Sequence, residues 1–319
     1  MTLGDRIRAA CAEVTKRARH VRLDESALAP LADAFAARPE PLAGADPAHL
    51  PVGPPQDTLA FVLTLDAVNF GSGWFPHLAK RPGMSGYFTL ATSLREHFER
   101  NGPWQAEALS KLTPTDCATV FGQDLAVPEQ AELMQHFAHA WNELGTFLLE
   151  RYGGRFAGPL AEADGNAERT AEILGRMSLF HDVARYDDLE VPFFKRAQIA
   201  VADLAEADIG EQGERLHGLE RLTAFADNLV PHTLRCDGVL HYAPELAERI
   251  ERGDLLPAGS PEEVEIRATG VHAVERLVAA LAARGVETTA RVVDPWLWHR
   301  GQSPAVKARP RHRTRTVFY

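Results

Sequence analysis

From Pro128 to Tyr152 the chain places Leu133, Phe137, Trp141, Leu144 and Leu148 at intervals of three or four, and Gly153-Gly154 ends the pattern. Apolar side chains at that spacing line one stripe of an α-helix, and glycine just beyond is a common helix stop. So long an amphipathic helix must bury its stripe against other helices, and the rest of the sequence supplies them. Leu3, Ile7, Ala10 and Val14 mark a helix over 3–20, and Leu28, Leu31, Ala34 and Phe35 mark another over 25–37. Tyr87 to Asn101 is predicted helical up to Gly102-Pro103, and Thr113-Pro114 opens a shorter helix. Helices are also predicted over 166–177 and over 244–252, the latter closed by Gly253. Ser260-Pro261-Glu262-Glu263 has the form of a capping box for a helix to about Arg284, and Val293 to Arg300 is a last turn or two.

About a dozen helices result, with no βαβ alternation around a glycine-rich phosphate loop. The expectation is a mainly α fold, one large helical domain over 1–319. Three stretches resist the pattern. Residues 38–57, with six prolines and His49, are expected to be an ordered loop. Residues 178–192 are expected to be a loop as well. The run from Leu59 to Leu65 fits a buried strand or a buried helix, so at most a small β element is expected near 59–90.

Charge and cysteine content narrow the function classes. The 319 residues carry a formal net charge of −10, which argues against a tight grip on a polynucleotide backbone but allows one nucleotide in a local basic pocket. Cys11, Cys117 and Cys236 are scattered, without metal-knuckle spacing, as suits a reducing cytosol. The amphipathic N-terminal stretch lacks the apolar core of a secretory signal, and no apolar run is long enough to span a membrane. A soluble cytoplasmic protein acting on a small molecule, without membrane association, is expected. The basic tail ends in Phe318-Tyr319, whose aromatic side chains suggest that it folds back and docks.

The chemistry concentrates in residues 191–235, read as two helices joined by a charged loop. Lys195 and Arg196 fall in the opening turn of the first, where cations oppose the helix dipole unless an anion is near. The second carries Asp227 four residues before Pro231, so a kink is expected at Asp227. Asp227 is the only formal charge between Leu222 and Thr233. That points to a buried carboxylate needing a partner or a task, although a solvated polar face fits the bare pattern. Lys195, between Phe193-Phe194 and Gln198, is either a snorkelling surface lysine or a cation for Asp227 or a phosphate.

The histidines open a rival reading. His136 and His139 share a helix face, and His181-Asp182 is an adjacent pair. With Asp227 or Asp237, the residues His139, His181 and Asp182 would make a divalent-metal phosphohydrolase. A third reading is a protein that binds a nucleotide or base without turnover.

Several segments together resemble the queuosine salvage family of queuosine 5′-phosphate N-glycosidases. They are Phe193-Phe194-Lys195-Arg196-Ala197-Gln198-Ile199, Phe225-Ala226-Asp227 with Pro231, Val264-Glu265-Ile266-Arg267, Asp294 with Leu297-Trp298, and terminal Phe318-Tyr319. Upstream, Asp66-Ala67-Val68-Asn69-Phe70, Gly86-Tyr87 and Leu149-Glu150-Arg151-Tyr152-Gly153-Gly154 fit the same pattern. The resemblance covers nearly the whole chain, in order.

It implies a helical fold similar to helical DNA glycosylases, and metal- and cofactor-independent hydrolysis of a queuosine nucleotide to queuine. It places the catalytic aspartate at Asp227 and its lysine at Lys195. It places the base pocket at His49, Phe70 and Gly71 and at the residues after Asp227, including Asn228 and His232, with Asp66 and Asn69 as further polar contacts. A 7-deazapurine lacks the ring nitrogen that most purine glycosidases protonate, so more of the barrier falls to a carboxylate stabilising the sugar cation. That carboxylate either attacks the anomeric carbon or activates water. The chain departs from the family at Asn228 and Leu229, where Tyr-Arg is common, at His232, where Gln is common, and at Gly71-Ser72-Gly73 before Trp74, where many members have Ser-Phe.

Overall fold

The computed structural model describes residues 1–37 and 51–319, so His49 and most of the proline-rich loop lie outside the described residues. The described chain is mainly α, with sixteen α-helices and four short strands in two antiparallel pairs. It divides into two units, both discontinuous in sequence. The first contains residues 1–37, 182–195 and 220–315, and the second 51–181, 196–219 and 316–319.

The first unit is built on the Pro261–Ala282 helix. Ser260 caps it by accepting the Glu263 N–H, and Pro261 occupies the first turn, as predicted. The reciprocal half of the box differs: the Glu263 carboxylate takes the N–H of Gly259, not that of Ser260. The helix packs against Leu3–Arg17, Leu28–Ala36, Leu229–Cys236 and Ala290–Gly301. Buried Val264, Ile266, Val271, Val274, Leu277 and Leu281 supply its apolar surface. Gly270 permits the crossing with Leu229–Cys236, since a Cβ there would lie 2.8 Å from Pro231 Cγ. Glu265 is fully buried on this helix, and its carboxylate accepts the N–H groups of Arg19, His20 and Val21 and the Tyr186 hydroxyl. These bonds fix the start of strand Val21–Leu23, which pairs with Leu240–Tyr242.

The second unit centres on the Pro128–Tyr152 helix, which packs against Ala106–Leu109, Pro114–Phe121 and Gly158–Glu162. The boundaries agree with the sequence, and Gly153 ends the helix in a left-handed conformation. A chain of aromatic edges and faces, Phe70–Phe137–Phe121–Trp141–Trp104, runs through this core.

Two expectations about β structure are corrected. No strand lies between 59 and 90. Leu59 to Leu65 belongs to the Pro55–Asp66 helix, every residue of which is buried from Thr58 onward. A helix apolar on all sides shows no periodicity, which is why the run was ambiguous. The strands lie instead at 21–23, at 240–242 and in the stretch expected to be a loop, where Val183–Tyr186 and Leu189–Pro192 form a hairpin. Asp187 takes a positive φ at its two-residue turn, a conformation that Asp tolerates better than most residues.

Candidate active site

Asp227 does not kink a helix. Helix Leu229–Cys236 begins after it, with Asn228 at the cap position. Asp227 Oδ1 accepts the N–H groups of Leu229 and Val230, both at 2.9 Å. Pro231, the third helical position, has no N–H to satisfy, so a proline there costs nothing. The residues before Asp227 are not helical because distant side chains take their polar groups. Arg8 donates to the carbonyls of Arg221 and Leu222, the Phe225 N–H donates to Asp294 Oδ2, and Arg267 Nε donates to Ala226 O. Each replaces a helical hydrogen bond with a tertiary one.

From Leu222 to Leu234 every residue is buried except Asp227, which keeps partial exposure. Its Oδ1 is held by two N–H groups, and its Oδ2 makes no hydrogen bond among the described residues. The geometry is a carboxylate fixed by one oxygen, on the one residue of a buried segment that keeps partial exposure.

Lys195 stands at the start of helix Lys195–Glu206, as predicted, and is 6% exposed, so it does not snorkel. Asp182 fixes that start. Its carbonyl accepts the N–H groups of Phe193 and Phe194, and its Oδ2 accepts that of Lys195 at 3.2 Å. Phe194 takes φ +49°, a left-handed conformation rare for an aromatic residue and held here by these bonds. Arg267 grips Asp182 in a bidentate pair at 3.0 and 2.6 Å, lies 4.0 Å from the Phe193 ring centroid, and reaches Ala226 O at 2.9 Å. One buried guanidinium thus ties the residue before Asp227 to the cap of Lys195.

The electrostatics set two carboxyls apart. Burial raises the Asp227 pKa, opposed by Lys195, the Val230 and Leu229 N–H groups and Arg311. Burial also raises that of Asp294, well above the ordinary aspartate value, and the Asp227 charge raises it further, against the Phe225 N–H and Lys195. Two coupled carboxyls seldom ionise together, and Asp294 is the member pushed further towards its protonated form. A folded-state pKa above the unfolded one means that stability falls as pH rises from the ordinary aspartate range towards that raised value. Asp294→Asn should therefore flatten this part of the pH–stability curve and raise stability at neutral pH. Urea unfolding of both proteins across pH 4–8 tests it, and parallel curves would contradict it.

The other expected site residues divide by unit. Asn228 and His232 join Asp227 and Lys195 in the first, but their side chains serve the fold: Asn228 Nδ2 donates to His312 O at 3.3 Å, and His232 Nε2 lies 3.1 Å from Val306 O. Asp66, Asn69, Phe70 and Gly71 lie in the second. Asn69 donates to Asp66 Oδ1 at 3.0 Å, and the Gly71 N–H, at φ +111°, donates to Tyr319 O at 3.1 Å. The tail end is docked as predicted, with Tyr319 3% exposed. Phe70 is 2% exposed, with Phe137 edge-on and the Arg196 guanidinium 4.6 Å from its ring centroid. Arg196, expected to seek an anion, instead donates to the carbonyls of Ala67 and Leu179.

The metal constellation does not assemble. Arg267 occupies both oxygens of Asp182, Arg300 both oxygens of Asp237, and His181 Nδ1 lies 3.0 Å from Gly175 O. Among the described residues no three His, Cys, Asp or Glu side chains are grouped to hold a metal ion. No helix among them is long and apolar enough to cross a membrane.

A mainly helical protein with a carboxylate held by two backbone N–H groups and influenced by a buried lysine is what the fold and site define. Sequence comparison gives this class a family. The profile described as queuosine salvage protein matches residues 49–319, and the chain belongs to that family. A protein of Sphaerobacter thermophilus named queuosine 5′-phosphate N-glycosylase/hydrolase is 40% identical over 96% of this chain and 95% of its own length. Proteins of the same name from Dictyostelium discoideum and Mus musculus are 33% and 29% identical, over 82% and 84% of this chain.

Proposed function

We propose that this protein hydrolyses the N-glycosidic bond of queuosine 5′-phosphate and releases queuine for tRNA queuosine salvage, with Asp227 as the catalytic carboxylate. The observation that carries this reading is Asp227, the one partly exposed residue of 222–234, whose Oδ2 makes no hydrogen bond among the described residues, in a chain of the queuosine salvage family.

As the bond between C1′ and the base breaks, its electron pair leaves with the base and positive charge grows on the ribose. An ionised Asp227 Oδ2 set against C1′ stabilises that charge, and it does so strongly where water is excluded. The two N–H groups on Oδ1 keep the carboxylate from turning away. Asp294, pushed further towards its protonated form, leaves Asp227 as the ionised member of the pair, and Lys195 supports that state. Water supplies the hydroxyl that ends on C1′. Its proton balances the one the base gains, whether Oδ2 takes that proton itself or first bonds to C1′. Asp66, Asn69, Phe70 and Gly71 are retained as proposed contacts for the base, supported by the resemblance alone.

Incubation with queuosine 5′-phosphate in EDTA should release free queuine and ribose 5-phosphate. Inorganic phosphate as the first product would favour a phosphohydrolase and reject this reading.

A further inference from the structure

Within the first unit one cation lacks the partner that its surroundings call for. Residues 310–315 run extended past the Asp227 turn. Arg235 donates to Pro310 O at 3.5 Å, Asn228 to His312 O at 3.3 Å, and the Leu256 N–H to Arg313 O at 2.9 Å. His312 and Thr314 are buried, while Arg311, Arg313 and Arg315 alternate with them and stay partly open. This is the two-residue period of an extended strand. Arg313 is satisfied by Gly253 O at 2.5 Å. The Arg311 guanidinium, by contrast, makes no hydrogen bond, and no ion pair within 4.0 Å, among the described residues.

Arg311 sits between buried neighbours, and burial holds its pKa below the ordinary arginine value while Asp227 opposes the shift. The ionisable groups that feel it are Asp227, His232 and His312, and Lys195 and Asp294 in turn face Asp227. Burial disfavours the charged form of both histidines and of Asp294. Asp227 then provides one negative charge against the two positive charges of Lys195 and Arg311. A guanidinium with five N–H donors, half removed from water and without an acceptor, is costly unless an anion fills the place. It feels the Asp227 charge without touching it. In a nucleotide the 5′-phosphate is held a ribose length from C1′ on the same molecule.

We propose that Arg311 binds the 5′-phosphate of the substrate and sets the preference for nucleotide over nucleoside. The proposal rests on the glycosidase reading and extends it to substrate form. A phosphate accepts the planar guanidinium fork through two parallel N–H bonds, a geometry a lysine does not reproduce.

The test compares wild type, Arg311→Gln and Arg311→Lys, each checked for folding by circular dichroism. Arg311→Gln should raise KM for queuosine 5′-phosphate by about 10- to 100-fold, the range expected for a lost charge-assisted bond. The loss in kcat/KM should be at least about tenfold larger for the nucleotide than for the dephosphorylated nucleoside, with Arg311→Lys intermediate. Equal losses on both substrates, or no change on either, would overturn the proposal. Calorimetric titration with ribose 5-phosphate gives a readout independent of turnover. Arg311→Gln should weaken it by a similar factor, and unchanged affinity would overturn the proposal. Wild type that binds ribose 5-phosphate through Arg311 but releases no base would reject the proposed reaction and leave the phosphate site standing.

Discussion

Asp227→Asn should abolish queuine release to within about a thousandth of the wild-type kcat while leaving the fold intact. Asparagine keeps an oxygen to accept the Leu229 and Val230 N–H groups, so the start of the Leu229–Cys236 helix is retained. What is lost is the negative charge facing the sugar. Removing one preorganised stabiliser of transition-state charge typically costs about 10²–10³ in kcat, and losing a formal charge belongs at the upper end. Asp227→Ala should be equally inactive and also less stable, by about 1–2 kcal/mol, because the cap goes too. Single-turnover kinetics with queuosine 5′-phosphate, paired with urea denaturation, separate the two effects. An Asn variant within tenfold of wild type would remove Asp227 from the catalytic role. Because its folded pKa is raised, wild-type activity should also fall as pH drops through a value above the ordinary aspartate range.

Arg267→Met should destabilise the protein by about 3–5 kcal/mol, the usual cost of leaving a buried charge without its partner. Arg267 and Asp182 are each 2% exposed. Glu263, 3.6 Å from the same guanidinium, would lose its cation as well. The double variant Arg267→Met, Asp182→Leu should lose less than the two single losses combined, by about 1 kcal/mol or more, since the pair is removed together. Folded Arg267→Met should also lose activity, because Ala226 and the cap of Lys195 both lose an anchor. Equilibrium unfolding of the four proteins completes the cycle. A single-variant cost under about 1 kcal/mol would show that Arg267 does not hold the site together.

The two variants mark different depths of legibility. Asp227 was visible as the only charge between Leu222 and Thr233, a local signal that survives in the fold as the only partly exposed residue of the stretch. Its setting was misread. A proline four residues on suggested a kinked helix, whereas the helix begins at Leu229 and the Asp227 side chain accepts its first two N–H groups. Arg267 could not be found the same way, because its partner Asp182 is 85 residues distant and nothing near either residue announces the other. The adjacent His181-Asp182 invited a metal reading for a carboxylate whose work is to hold an arginine and a helix start. Asp294 and Arg311 approach Asp227 from distant segments, and only the family resemblance singled out Asp294 beforehand.

The sequence alone determined the helices whose one face is apolar and whose ends carry a cap or a glycine, such as Pro128–Tyr152 and Pro261–Ala282. Such signals act through hydrogen bonds and side-chain neighbours within a turn or two of the chain. It also determined that one carboxylate stood apart from its surroundings. The tertiary structure decided what that carboxylate is: which oxygen is held, which makes no hydrogen bond among the described residues, which second carboxyl is pushed further towards its protonated form and which arginine waits beside it. Those properties depend on burial and on charges brought together across the chain, and the electrostatic cost of an unpaired buried charge exists only once water has been excluded.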